Sequence, residues 1–278
     1  MIAFVNGDFL PDDQASIGIG DLSVQRGYAA FDFFRIRNNR PLFLDDYLSR
    51  FFNSVATMHL QPTQSREDLK EIIYALIAQN NAETSGMRLI FTGGYSPDSY
   101  QPVKPNLIIT QHLLNLPSAE KFDTGIKVIT KEYQRDLPTV KSINYLMGIW
   151  LQEEISARKA EDVLYYKNGI VSEFPRANVF MVTRDNKVVT PSENVLRGIT
   201  RKKLLEWMSK DFEMEERNIG IEEIKEAAEV FMTSTTKRIL AISHIDDIVI
   251  GDGKAGPMTR KLSDAFVRLE NQVLGLPA

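Results

Sequence analysis

Two hydrophobic periods alternate along the chain. Ile2-Ala3-Phe4-Val5 runs into Asn6-Gly7-Asp8 and then Phe9-Leu10, the pattern of a strand, a tight turn and a returning strand. Residues 29–37 also read as a strand, with Phe31, Phe33, Arg35 and Arg37 on one face and Asp32, Phe34 and Ile36 on the other. From Leu44 to Leu60 the period lengthens: Tyr47, Phe51, Val55 and Met58 make one helical stripe, flanked by Leu48 and Phe52. Ser65-Arg66-Glu67-Asp68 is like a capping box and opens a second helix carrying Leu69, Ile72, Ile73, Leu76 and Ile77. Strands are expected over 87–92 and 106–111, joined by the turn region Gly93-Gly94-Tyr95-Ser96-Pro97-Asp98.

Between Leu114 and Asp123 both periods fail, and Pro117, Ser118 and several charges intervene. An interdomain linker is therefore expected over 116–123, after an N-terminal α/β domain of residues 1–115 and before a C-terminal domain of residues 124–278 that carries Lys141. In the second part the pattern predicts a strand at 125–130 and a helix after Lys141 ending near Arg158. Strands at 161–166, 177–183 and 187–190 follow, then a helix over 200–209. A strand at 230–232, a short strand at 245–248 and a final amphipathic helix after Gly256-Pro257 complete it. A chain of 278 residues can bury one large core or two moderate ones, and two domains of fold class α/β (α+β) are expected.

Composition narrows the chemistry. A net charge of −4 provides no basic field, so nucleic acid is not an expected partner and small molecules are. The absence of cysteine excludes disulfides, thiolate metal sites and thiol nucleophiles. His59, His112 and His244 are isolated, without a second histidine at ligand spacing, so no metal site is expected. There is no G-x-S-x-G elbow, and the lone G-x-G at Gly18 and Gly20 is not followed at once by a helix. No apolar run long enough to cross a membrane and no export-like amino terminus are read, so a cytoplasmic protein without membrane contact is expected.

What remains is lysine, glutamate and clusters of small hydroxyls, a set that suits a phosphorylated aldehyde cofactor. Lys141 stands where a strand or loop turns into a helix, and alone it reads as a surface lysine. Glu173 sits at a hairpin crossing, where it could equally be a turn carboxylate. Gly198-Ile199-Thr200 opens a helix whose free N–H groups could hold a phosphate, although such a start is more often an ordinary cap. Thr233 to Thr236 offers more hydroxyls, or merely a strand's exposed edge. Arg35 is either an edge-strand charge snorkelling past apolar neighbours or a carboxylate-binding group on a substrate-facing strand walled by aromatics.

Taken in order, Arg26-Gly27-Tyr28, Tyr47-Leu48-Ser49-Arg50-Phe51, Lys141-Ser-Ile-Asn-Tyr145, Ser172-Glu173 to Asn178-Val179-Phe180, Leu196-Arg197-Gly198-Ile199-Thr200-Arg201, Ser234-Thr235-Thr236 and Gly256-Pro257-Met258-Thr259 resemble the class IV, fold-type IV pyridoxal-phosphate enzymes. That family includes branched-chain and D-amino-acid aminotransferases and aminodeoxychorismate lyase, and the resemblance covers nearly the whole chain. It implies a small N-terminal sheet-and-helix domain, a barrel-like C-terminal domain and a homodimer. It further implies that pyridoxal 5′-phosphate is attached to Lys141, that Glu173 meets the pyridine nitrogen and that Tyr145 lies near the phenolic oxygen. Arg50, Ile199, Thr200 and Thr235 match the phosphate ligands. Lys141, Glu173 and Tyr145 are the catalytic expectations.

The departures bear on substrate. Tyr47 replaces a histidine common before the phosphate arginine, and Phe33 and Phe34 replace smaller residues. Gly93 stands where D-amino-acid aminotransferases carry a carboxylate-binding arginine, and Arg176 follows Glu173 where small hydroxyl residues are frequent. Selectivity is expected from residues 31–37 and 86–100, with Phe31, Phe33, Arg35, Arg88 and Tyr95 as the substrate-binding candidates. The resemblance thus implies amino-group transfer from a branched or apolar amino acid to a 2-oxo acid, with the lyase and the D-amino-acid aminotransferase as alternatives.

Overall fold

A computed structural model describes residues 1–114 and 116–277. It divides into two compact units, Met1–Asn115 with Val140–Asn144, and Leu116–Thr139 with Tyr145–Ala278. Asn115, the last residue expected in the N-terminal domain, lies outside the described residues.

The first unit contains β1 (Ile2–Val5), β2 (Asp8–Pro11), α1 (Leu22–Arg26), β3 (Ala29–Arg37), β4 (Arg40–Pro41), α2 (Leu44–Thr57), α3 (Arg66–Asn80), β5 (Thr84–Thr92) and β6 (Leu107–Leu113). Its antiparallel sheet has the order β2-β1-β6-β5-β3-β4. One face buries Phe34, Ile36, Met87, Leu89, Phe91 and Ile109, and α2 packs there through rings such as Phe51, stacked 5.3 Å from Phe91. The capping box is present: Ser65 and Asp68 bond each other's backbone N–H, which fixes the start of α3. Because β4 pairs with only the last two residues of β3, the other end of that strand edge is open. Residues 141–143 pair with it, Phe31 N–H donating to Lys141 C=O at 2.9 Å and Ile143 N–H to Ala29 C=O at 3.0 Å. The backbone of Lys141 therefore groups with the first unit, whereas the sequence assigned it to the C-terminal domain.

The second unit contains α4 (Ala119–Thr124), β7 (Ile126–Glu132), α5 (Leu146–Trp150), α6 (Gln152–Ala157), β8 (Asp162–Lys167), β9 (Ile170–Val171), β10 (Glu173–Phe174), β11 (Ala177–Val182) and β12 (Val188–Thr190). After these come α7 (Ile199–Met208), β13 (Met214–Glu216), α8 (Ile221–Lys225), β14 (Glu229–Ser234), β15 (Arg238–Ile245), β16 (Ile248–Val249) and α9 (Pro257–Val273). Its sheet runs β13-β12-β11-β14-β15-β7-β8-β9, with β10 on β11 and β16 on β15. Since β10 pairs with β11 and also packs on β8, the sheet curls into a half-barrel. Val128, Leu164, Val179, Val230, Met232, Leu240 and Ile242 fill its apolar interior.

Three expectations are corrected here, and two elements are added. The stretch expected as linker is helical from Ala119, the short α4. The helix after Lys141 is two pieces meeting at Leu151. Residues 245–248 are a hairpin turn instead of a strand: β15 ends at Ile245, and Asp246 turns at φ 54 while its carboxylate binds the Thr130 N–H and hydroxyl. Finally, β13 and α8 arise where no strong period was read, because each is short and held by pairing or a single buried residue.

Candidate active site

In the first unit the candidates sort by strand face. Phe33 and Arg88 are direct cross-strand partners, as are Phe31 and Ile90, and Arg35 and Gly86, so Phe31, Phe33, Arg35 and Arg88 share one side of the sheet. Lys141 joins them, its Nζ 4.5 Å from the centre of the Phe31 ring, a cation–π contact, while its N–H donates to the buried Ser54 hydroxyl at 3.1 Å. Arg35 is only 3% exposed, which removes its reading as a snorkelling surface charge. Phe33 packs against Gly86, where an added Cβ would fall 2.1 Å from the ring. Arg88 is exposed beside His112, whose ring nitrogen is 2.7 Å from the Thr110 hydroxyl. Partial burial, helped by the Arg88 charge, holds the His112 imidazole below its ordinary pKa.

Arg50 approaches from the opposite, helix-covered side. Its Nε and Nη2 donate to the two Asp32 carboxylate oxygens at 3.0 and 2.6 Å, and its guanidinium stands 5.2 Å above the Tyr47 ring. The pair is buried, so Arg50 is oriented by Asp32, which also accepts the Phe33 N–H. Tyr95 stands apart, its phenol accepting the Gly18 N–H at 3.0 Å beside a cleft of about 400 Å³ lined by Gln64, Lys104 and Asn106.

In the second unit a row of side chains crosses three strands. Glu173 opposes Asn178, and Asn178 opposes Thr233, so the three project from the same face. Glu173 is buried; its Oε1 accepts Arg135 Nε and Nη2 at 2.8 and 2.6 Å, and its Oε2 accepts the Leu196 N–H at 2.9 Å. Asn178 donates to the Leu196 carbonyl at 2.8 Å. The loop ahead of α7 is thus pinned from both sides, and it delivers Ile199 and Thr200 to the first turn. Gly198 is the N-cap; it brings no capping oxygen, and the N–H groups of that turn are available to an anion. A cation stands in the same turn: Arg201, 3% exposed, pairs with Glu216 and donates to the Pro191 carbonyl at 2.9 Å. Burial lowers its pKa, against the support of Glu216. The Thr233 hydroxyl and Arg201 Nε are buried without a protein partner.

Of the other candidates, Tyr145 is the partly exposed N-cap of α5, and Thr235 lies in the β14–β15 turn. That turn is clamped by Lys237 on Asp162 at 3.0 Å and Arg238 on Glu270 at 2.8 Å. Arg176 is exposed. Uncapped helix N–H groups, a buried cation in the same turn and an unpartnered buried hydroxyl fit an anionic, phosphate-bearing ligand.

The sequence pattern of the family described as "Amino-transferase class IV" matches residues 29–245, a span that includes Arg50, Lys141, Glu173, Thr200 and Thr235. The chain belongs to the class IV aminotransferase family. Among curated relatives of this aminotransferase chain, branched-chain-amino-acid aminotransferase-like protein 1 of Arabidopsis thaliana is 30% identical over 97% of this chain and 50% of its own length. The chain thus spans about half the length of that relative. D-alanine aminotransferase of Staphylococcus haemolyticus is 27% identical over 95% of both chains. The solved branched-chain amino acid aminotransferase of Escherichia coli superposes with a TM-score of 0.90 at 23% identity, covering 96% of this chain and 94% of that one, which shows a shared fold. Another solved branched-chain amino acid aminotransferase, bound to pyridoxamine 5′-phosphate, superposes equally well, with a TM-score of 0.90 at 21% identity over 98% of this chain and 94% of that one.

Three residues that surround the candidates escaped sequence reasoning. Arg135 lies 38 positions from Glu173, and nothing in Gln134-Arg135-Asp136 separates it from a surface charge pair. Asp32 was placed on its strand face without its partner, since only packing brings α2 over it. Arg201 appeared within the matching motif, but its burial in a helix's first turn, where a cation opposes the helix dipole, was not legible.

Proposed function

We propose that the protein is a pyridoxal-phosphate-dependent aminotransferase that moves the amino group of a branched or apolar L-amino acid to a 2-oxo acid. Family membership over residues 29–245 supports it, and the anion-competent start of α7 beside buried Glu173 is the observation that carries it. Bound pyridoxal phosphate would supply an electron-withdrawing ring that stabilises negative charge at the substrate's α-carbon. Lys141 would hold the cofactor covalently and, once displaced by the substrate amine, carry a proton between the substrate α-carbon and the cofactor C4′. Glu173 would accept a hydrogen bond from the protonated ring nitrogen, and Tyr145 would contact the phenolic oxygen. The Ile199 and Thr200 N–H groups, the Thr200 and Thr235 hydroxyls and Arg50 would bind the phosphate.

The substrate reading rests on the face that Lys141 shares with Phe31, Phe33, Arg35 and Arg88, which combines apolar walls with cations for a carboxylate. An arginine at position 93, the D-amino-acid pattern, has no room, because even a Cβ there would be 2.9 Å from Leu22. A homodimer is part of the proposal, supported by Leu146, Ile149 and Trp150 of α5, each more than 60% exposed. The proposed setting is the cytoplasm, where amino acids and 2-oxo acids are pooled.

Purified protein given pyridoxal phosphate should gain a visible absorbance band, and borohydride should fix the cofactor to Lys141, as read by peptide mass spectrometry. A panel of L- and D-amino acids with 2-oxoglutarate should show transfer from L-leucine, L-isoleucine or L-valine. Transfer from D-alanine alone, or pyruvate release from aminodeoxychorismate without an acceptor, would replace the proposed substrate class. A colourless protein that takes up no cofactor would refute the reading.

A further inference from the structure

Glu173 is the acid of the second-unit row and is buried, and a carboxylate removed from water takes up a proton unless a charge opposes it. Arg135, just beyond β7, is a cation in direct contact with it. Its Nε and Nη2 converge on Oε1 at 2.8 and 2.6 Å, with the two side chains 12% and 5% exposed. Nη2 also donates to the Pro138 carbonyl at 2.6 Å, three residues before Lys141 in the chain. Oε2 accepts the Leu196 N–H at 2.9 Å. Tyr165 on β8 and Arg201 on α7 also interact electrostatically with Glu173, and Tyr133 beside Arg135 feels that cation and Asp136. Burial pushes the Tyr165 phenol far up, so it stays neutral, and Arg201 is engaged by Glu216.

We propose that Arg135 is a positioning residue for Glu173: it keeps the carboxylate ionised, fixes Oε1, and ties that acid through Pro138 to the segment leading to Lys141. This rests on the assignment of Glu173 to the pyridine nitrogen made above. A merely structural ion pair would tolerate loss of the arginine without a titration appearing in the bound cofactor. A positioning role would not, because losing the cation raises the proton affinity of Glu173. Above the raised value Glu173 is again a carboxylate and the site behaves as wild type. Below it Glu173 is a neutral acid and the site behaves as Glu173→Gln.

The test follows the visible absorbance and circular dichroism of bound pyridoxal phosphate against pH in wild type, Arg135→Met, Arg135→Lys, Glu173→Gln and the double variant Arg135→Met/Glu173→Gln. Arg135→Met should match wild type on the alkaline side and Glu173→Gln on the acid side, with a step between. Arg135→Lys, which keeps the charge, should follow wild type, and the double variant should follow Glu173→Gln throughout. Should Arg135→Met leave a buried unpaired charge and fail to fold, Arg135→Gln, which keeps a hydrogen-bond donor without the charge, takes its place and should show the same step. An Arg135→Met profile identical to wild type would overturn the proposal. So would a step that persists in the double variant, or a lysine variant that does not follow wild type. A wild-type protein without bound cofactor, or a Glu173→Gln spectrum equal to wild type, would instead sink the underlying assignment of Glu173.

Discussion

Replacing Gly198 by alanine tests whether the start of α7 is built around Asn178. The ideal Cβ would sit 2.1 Å from Asn178 Oδ1, against an ordinary separation of about 3.5 Å, so one of them must move by roughly 1.4 Å. Asn178 has little freedom: it is 5% exposed, its Nδ2 holds the Leu196 carbonyl at 2.8 Å, and the Leu196 N–H holds Glu173. Overpacking costs about 1–3 kcal/mol, and an amide left unsatisfied costs about 1–3 kcal/mol more. Gly→Ala returns about 0.4–1 kcal/mol through the unfolded chain, because φ −59 suits alanine. A net loss of about 2–4 kcal/mol follows, or roughly 5–15 °C in the melting of the second unit. Gly220 is the internal control, another N-cap glycine at negative φ, whose Cβ would meet nothing closer than Glu223 at 3.7 Å. Capping preference and chain entropy act alike on both, so the difference between the variants isolates the Asn178 contact. Thermal unfolding by circular dichroism reads it, with pyridoxal-phosphate affinity expected to fall in parallel for Gly198→Ala. If both variants melt within about 1 °C of each other, the reasoning is refuted.

Three further outcomes are expected. Asp32→Asn removes the buried carboxylate that holds the Arg50 guanidinium and should cost about 3–5 kcal/mol in urea unfolding, with about 2.7 kcal/mol restored by pyridoxal phosphate at 100 times its dissociation constant; an unchanged midpoint would mean the pair is dispensable. Arg88→Gln removes a cation beside His112 and should raise that imidazole's pKa, seen in its ring-proton NMR titration; a fall would contradict the stated cause. Asp21 is held below its ordinary pKa although burial opposes this, because hydrogen bonds from Ser23, Thr92 and Asn106 outweigh the burial. Its contribution is present above the ordinary carboxylate range and lost as pH falls through the depressed value. The deficit of Asp21→Asn should therefore be largest near neutrality and vanish in acid, and a pH-independent deficit would exclude a titrating origin.

The long periodic elements were legible because each is decided locally. The stripe of α2, the capping box of α3 and the alternation of β3 follow from residue spacing alone. The short elements were not: α4, β13 and the 245–248 turn depend on what each segment packs against, which a window of a few residues does not contain. The broken helix after Lys141 is of the same kind, since its apolar positions are compatible with one helix or two.

The order of chemical motifs, from Arg50 through Lys141, Glu173 and Gly198-Ile199-Thr200 to Thr235, was present in the chain and sufficed for the family, because residue type and sequence order survive without knowledge of distance. The partners that decide what those residues can do were supplied only by tertiary structure. Arg135 comes to Glu173 from 38 residues away, Asp32 meets Arg50 only when α2 lies over β3, and Lys141 groups with the first unit because the short β4 leaves a strand edge to fill. Charge states and orientations of buried groups depend on neighbours a few ångströms away, and the folded chain chooses those neighbours without regard to sequence separation.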